Sequence, residues 1–193
     1  MVSKVGADAD PGGPAPMRLA QRPEQLRAGG DQVVDLDDQM EVMVAMHTEG
    51  LIGGIGLSSV SADVLRRAMP AGIACVQNAY SLVARQDEEM LALCASHDIA
   101  WVPYFPLGGA VPGLPKVTEQ SAAQATARSL GASTSQVGLA WLLAHDPGVL
   151  LIPDTADPEH LQANLAAGSL TLDGATMAVL DALASPSAQT PTG

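Results

Sequence analysis

Between Gly50 and Tyr80 the chain passes from apolar to polar in blocks rather than residue by residue. Residues 52–57, within GLIGGIGLSSV, are apolar or small and long enough for a buried strand. In SADVLRRAMPAG, Ser61 is placed to cap a helix with Val64, Leu65, Ala68 and Met69 on one face, and Pro70 and Gly72 end it. Residues 73–76 of IACVQNAY open a second buried strand. Strand, helix, strand with uniformly apolar strands is the pattern of a parallel βαβ unit. Polar pairs leave both strands, Ser58-Ser59 and Gln77-Asn78, and ligands of parallel sheets gather at such carboxyl ends.

The alternation continues downstream. A helix is expected over 86–97 with acids Asp87, Glu88 and Glu89 at its start, then a strand over 99–104 that leaves through Phe105-Pro106-Leu107-Gly108-Gly109. Residues 116–130 read as a helix with a thin apolar face. Ser133 and Gln136 form a capping box before the helix over 137–144. A last strand is expected over 149–152, a helix opened by Asp157-Pro158 through Asn164, and a terminal helix over 173–183. Upstream, Asp37-Asp38 open a helix through Met40, Val42, Met43 and Met46. Residues 2–6 read as a strand end, 7–16 as a Gly/Pro loop, 22–27 as a short helix meeting Gly29-Gly30, and Val33-Val34 as a weak strand. The sum is α/β with a parallel sheet.

Composition narrows the function. Asp+Glu 21 against Lys+Arg 9 argues against a nucleic-acid surface or an anionic membrane as partner. No apolar run approaches the roughly 20 residues of a membrane helix, and residues 1–20 lack a secretory apolar region. Cys75 and Cys94 lie in apolar elements and read as buried reduced thiols, which points to the cytoplasm. His97 and His145 fall at helix ends, where they suit the macrodipole. No His/Cys/Asp/Glu cluster has metal spacing, so no metal is expected, and there is no phosphate-binding Gly-rich motif. At 193 residues the chain suffices for one domain but is short of the about 250 of a complete (β/α)₈ barrel.

Five segments carry a resemblance: IGLSSV (55–60), CVQNAYSLVAR (75–85), IAWVPYFPLG (99–108), SQVGLAWLL (135–143) and IPDTADPEHLQANL (152–165). In this order and spacing, over residues 48–184, the chain resembles the aldo-keto reductases, NAD(P)H-dependent reductases of aldehydes and ketones on a (β/α)₈ TIM barrel. The resemblance implies an incomplete barrel of five or six strands as a single domain over 1–184, with a polar tail over 185–193. It assigns Ser58, Ser59 and Gln77 to the nicotinamide carboxamide, which offers one donor and one acceptor side. Ser59 stands where the family has Asn. Tyr104 matches the aromatic that stacks on the nicotinamide, and Leu107 and Gly108 the pyrophosphate turn.

Thr155, His160 and Asn164 match the adenosine-phosphate segment. Asp154 and His160 occupy positions where NADPH-selective members carry Lys and Arg, so the cofactor expected is NAD or NADP with NADH preferred. SKVGA at 3–7 resembles the segment of the catalytic lysine, which would be Lys4, and RPEQLRA the helix after it. The family's aspartate and tyrosine precede that lysine, and the strand bearing its histidine has no counterpart after Ala28. Impaired catalysis is the implication, with a non-enzymatic nucleotide-binding or interaction module, or a truncated gene product, as the alternative. The expected partner is a small carbonyl substrate, and open strand edges at 2–5 and 149–152 imply self-association.

Overall fold

The computed structural model describes residues 17–21, 35–109 and 115–183. The expected strands at 2–6 and 33–34, the helix at 22–27, Lys4 and the tail over 185–193 lie outside these residues. The chain divides into two compact units, one of 1–78 with 89–101 and the other of 79–88 with 102–193.

The first unit is a parallel sheet in the order β1–β2–β3–β4, with β1 Met17–Gln21, β2 Gly54–Ser58, β3 Ile73–Gln77 and β4 Ala100–Trp101. Between the strands run α1 Leu36–Thr48, α2 Ala62–Ala68 and α3 Glu88–Ala95. Asp35 caps α1 through the Asp37 N–H, two residues before the Asp37-Asp38 pair that the sequence suggested as the opening. Ser61 caps α2 as expected, and Gly72 takes φ 75 to turn the chain into β3. Ile55, Leu57, Leu65, Val76 and Trp101 are at most 1% exposed and form the heart of the unit's core.

Met17–Gln21 is a strand that the hydrophobic pattern did not show, because MRLAQ holds too few apolar residues to register as a run. Conversely, the strand expected over 99–104 pairs only at Ala100 and Trp101, with Tyr104 making a single bridge to Ala79. Pro103 and Pro106 lack the N–H that a longer ladder needs. The helix expected over 86–97 stops at Ala95, where the His97 and Ile99 N–H groups cap the Cys94 carbonyl and Asp98 takes φ 54.

The second unit is helical: α4 Ser121–Leu130, α5 Thr134–His145, α6 Pro158–Ala166 and α7 Gly174–Asp181. The helix expected over 116–130 is broken. A 3₁₀ turn at Val117–Glu119 is separated from α4 by Gln120, whose extended backbone is pinned by its side-chain amide donating to the Lys116 carbonyl. The Ser133–Gln136 capping box at the start of α5 is formed in both directions. Residues 149–152 are not a strand: Val149 alone takes a bridge position. The turn donated by the Val149 N–H to Asp146 precedes it, and Pro153 constrains the residue before it. Four strands lie among the described residues, against five or six expected over the whole chain.

Candidate functional site

In the first unit, the parallel register sets Ser58 directly beside Gln77 at the carboxyl ends of β2 and β3. Both side chains are under a tenth exposed, and neither has a hydrogen-bond partner among the described residues. Hydroxyl and amide together offer donors and acceptors on one spot of the sheet edge. Ser59 follows with φ 55, a left-handed turn that its N–H closes onto the Gln77 carbonyl at 2.9 Å.

Asn78, which the sequence left only as a polar strand end, is what fixes this corner. Its Oδ1 accepts from the Val60 N–H at 3.1 Å and its Nδ2 donates to the Val60 carbonyl at 2.8 Å, both buried. The side chain thereby imitates a neighbouring strand and holds the loop after β2 level with the end of β3. Cys75 is buried on β3, and burial pushes its thiol up to about 11. Cys94 is likewise buried, and the two cysteines form no disulfide.

In the second unit, Tyr104 is half-buried and its ring meets Phe105 edge to face at 5.1 Å. Residues 105–108 form a tight turn closed by the Gly108 N–H donating to the Phe105 carbonyl. The Leu107 carbonyl accepts from the Val117 N–H, and Gly108 bridges Lys116. Gly108 has φ 93, and a Cβ there would stand 2.3 Å from the Pro115 carbonyl oxygen. The close approach that makes glycine necessary is thus to the chain's own backbone. Gly138 of α5 adds a second one, since a Cβ would meet Leu107 at 2.9 Å and Val117 at 2.8 Å. An isolated glycine within an apolar helical run was the available signal for that contact.

The 155–164 segment is organised by helix capping. Asp157 caps α6 through the Glu159 N–H, Pro158 takes the first turn, and the Thr155 hydroxyl accepts from the Asp157 N–H. His160 is exposed with its Nδ1 3.8 Å from the Asp157 carboxylate, and Asn164 lies one helical turn further on the same face.

One charged cluster of this unit was missed. Tyr80, only 1% exposed, donates its hydroxyl to Glu88 at 2.8 Å, and burial followed by that carboxylate raises its pKa far above the ordinary phenol. His145 shares Glu88 at 3.3 Å and stacks on Trp141 at 4.4 Å. Trp141 donates to Asp181 at 2.9 Å beneath the Arg85 guanidinium, 4.5 Å from its ring. These groups satisfy one another and tie α5 to α7.

Among the described residues, no group of three or more His, Cys, Asp or Glu could hold a metal, and no helix is long and apolar enough to cross a membrane.

Comparison with known proteins places these features in a family context. Residues 29–185 match the model of the aldo/keto reductase family. The chain is 40% identical over 149 residues to pyridoxine 4-dehydrogenase of Escherichia coli, covering 77% of this chain and 50% of that protein. It is 35% identical over 152 residues to an uncharacterized oxidoreductase of Schizosaccharomyces pombe, covering 78% and 48%. It therefore spans about half the length of these relatives. A Klebsiella pneumoniae aldo-keto reductase solved with NADPH superposes at a TM-score of 0.73 with 30% identity, covering 90% of this chain and 60% of the other. A structure from the same organism with NADP and acetate gives 0.72 and 30%, covering 86% and 58%.

Proposed function

Since the chain belongs to the aldo/keto reductase family and its fold is part of that family's TIM barrel, we propose that it binds a nicotinamide dinucleotide and serves the reduction of small aldehydes or ketones. The observation that carries this reading is the Ser58–Gln77 pair, two nearly buried polar side chains in register at a strand end without partners among the described residues. A carboxamide supplies the donor and acceptor that such a pair lacks. The solved neighbours bound to NADPH and NADP support the same ligand class.

In this reading Ser58, Ser59 and Gln77 hold the carboxamide, and Tyr104 stacks on the ring. Leu107 and Gly108 present turn backbone to the pyrophosphate, and Thr155, His160 and Asn164 take the adenosine end. A bound nicotinamide supplies the hydride, and Lys4 is the proposed catalytic lysine. NADH is preferred, because Asp154 and His160 stand where NADPH-selective members carry Lys and Arg, and the Asp154 carboxylate would repel a 2′-phosphate. We take residues 1–184 as one domain acting in the cytoplasm, with self-association as part of the proposal.

One observation favours binding without turnover by this chain alone. Proton donation to a carbonyl needs a hydroxyl of lowered pKa, yet Tyr80 is buried, bound to Glu88 and raised. Tyr104 is assigned to stacking. We therefore expect the 193-residue chain to bind cofactor and to show no carbonyl reduction above background.

Calorimetric titration with NADH and NADPH tests the cofactor assignment. Tyr104→Ala should weaken both, and Asp154→Lys should strengthen NADPH while leaving NADH nearly unchanged. Tighter NADPH than NADH in the unmodified chain would show that the adenosine segment is misassigned. A panel of aldehydes with either cofactor, and pyridoxine in the oxidative direction, tests turnover; turnover abolished by Lys4→Ala would overturn the binding-only expectation.

A further inference from the structure

Phe105 stands in a conformation that its residue type resists. Among the described residues, three non-glycine positions have positive φ: Ser59, Asp98 and Phe105 at 56°. Small polar residues tolerate that region by bonding locally, whereas a bulky aromatic has no such compensation. Hydrophobic burial does not account for the strain, because Phe105 is 41% exposed. The turn does not require the ring either, since only the Phe105 backbone carbonyl is used, accepting from Gly108.

What the conformation does is bring two neighbouring rings together. Successive side chains of an extended chain point to opposite sides, so residues 104 and 105 would not ordinarily meet. The left-handed φ swings Phe105 back, and its ring packs against Tyr104 at 5.1 Å with an interplanar angle of 82°. A perpendicular neighbour covers at most one face of a ring while restricting its rotation about χ1 and χ2. Strain held at an exposed aromatic, with a candidate ligand-stacking ring as its contact, is the arrangement expected of pre-organisation.

We infer that Phe105 is a positioning residue that fixes the Tyr104 ring for stacking on the nicotinamide. The inference rests on the cofactor reading above and adds to it the residue that orients the ring. Phe105 touches no cofactor in this account; it acts through Tyr104.

The test is a double-mutant cycle on NADH affinity, with circular-dichroism melts showing that each variant is folded. Phe105→Ala should weaken NADH about threefold to tenfold, the range an edge-to-face aromatic pair provides. Phe105→Tyr keeps the edge and should restore affinity. Tyr104→Ala combined with Phe105→Ala should be no weaker than Tyr104→Ala alone, since a residue acting only through Tyr104 has nothing left to act on. Backbone strain is read separately: Phe105→Gly should melt above Phe105→Ala, the reverse of the usual order, while binding NADH equally poorly. Additive losses in the double variant, or a Phe105→Ala chain that binds like the unmodified one while Tyr104→Ala is weakened, would overturn the inference and leave the cofactor reading standing. Failure of the unmodified chain to bind NADH would remove the cofactor reading itself, and this inference with it.

Discussion

Gly108 offers a perturbation whose size can be worked out in advance, with a control elsewhere in the same chain. Both Gly108 (φ 93) and Gly131 (φ 64) lie in the left-handed region, so alanine at either pays a conformational cost of about 1–2 kcal/mol. They differ in what a Cβ meets. At Gly131, which ends α4, there is nothing within 4 Å. At Gly108 the Cβ would fall 2.3 Å from the Pro115 oxygen and 2.8 Å from the Lys116 Cα, both backbone, which no rotamer change relieves. Parting the two strands of that turn adds about 1–3 kcal/mol, the usual range for overpacking. Gly131→Ala should therefore cost about 1–2 kcal/mol and Gly108→Ala roughly 2–5 kcal/mol. At about 2–4 °C per kcal/mol for a chain of this size, the second variant should melt well below the first. Urea denaturation followed by circular dichroism, compared at equal m-value, measures both. Equal losses at the two glycines would refute the steric argument and show that the Gly108–Lys116 bridge is not held as described.

Other outcomes follow from the same geometry. Ser133→Ala removes the capping box of α5 and should cost about 0.5–2 kcal/mol in a urea titration, with Ser133→Asp recovering most of it. Asp181→Ala leaves the fully buried Trp141 indole N–H without its acceptor, so about 1–3 kcal/mol should be lost and the tryptophan emission should change. Cys75 should resist iodoacetamide at neutral pH, because burial holds the thiol protonated. Its pKa is raised by folding from 9.0 to about 11, so the stability it contributes is complete below pH 9 and is lost as pH climbs from 9 towards 11. Cys75→Ala should flatten that alkaline loss.

The helices were legible in the sequence wherever a cap and a period agreed. Ser61, Ser133, Asp157 and Asp173 all cap the helices they were expected to open, because a side-chain oxygen at such a site satisfies an otherwise unbonded N–H whatever surrounds it. Strands were less legible, since their limits are set by partners distant in sequence. Pairing of Met17–Gln21 to β2 overrode a weak local pattern, and prolines at 103 and 106 cut short a run that looked continuous. The Ser58–Gln77 juxtaposition could be anticipated from two strands leaving into polar pairs, but its register could not. The Asn78 clasp on Val60 and the Tyr80–Glu88–His145 and Arg85–Trp141–Asp181 contacts join residues whose spacing in the chain follows no period. The left-handed backbone at Phe105 was hidden for a different reason, since nothing in the residue type announces it.

The proposed role of Ser58 and Gln77 is to take the carboxamide of a bound nicotinamide dinucleotide. Calorimetric titration of NADH into the unmodified chain and into Gln77→Leu tests it most directly, because leucine keeps the bulk of the side chain and removes both of its hydrogen-bonding groups. Saturable one-to-one binding is expected, weakened about tenfold by Gln77→Leu, matching about 1.4 kcal/mol for the lost hydrogen bonds. Binding unchanged by Gln77→Leu, or no heat from either chain, would contradict it.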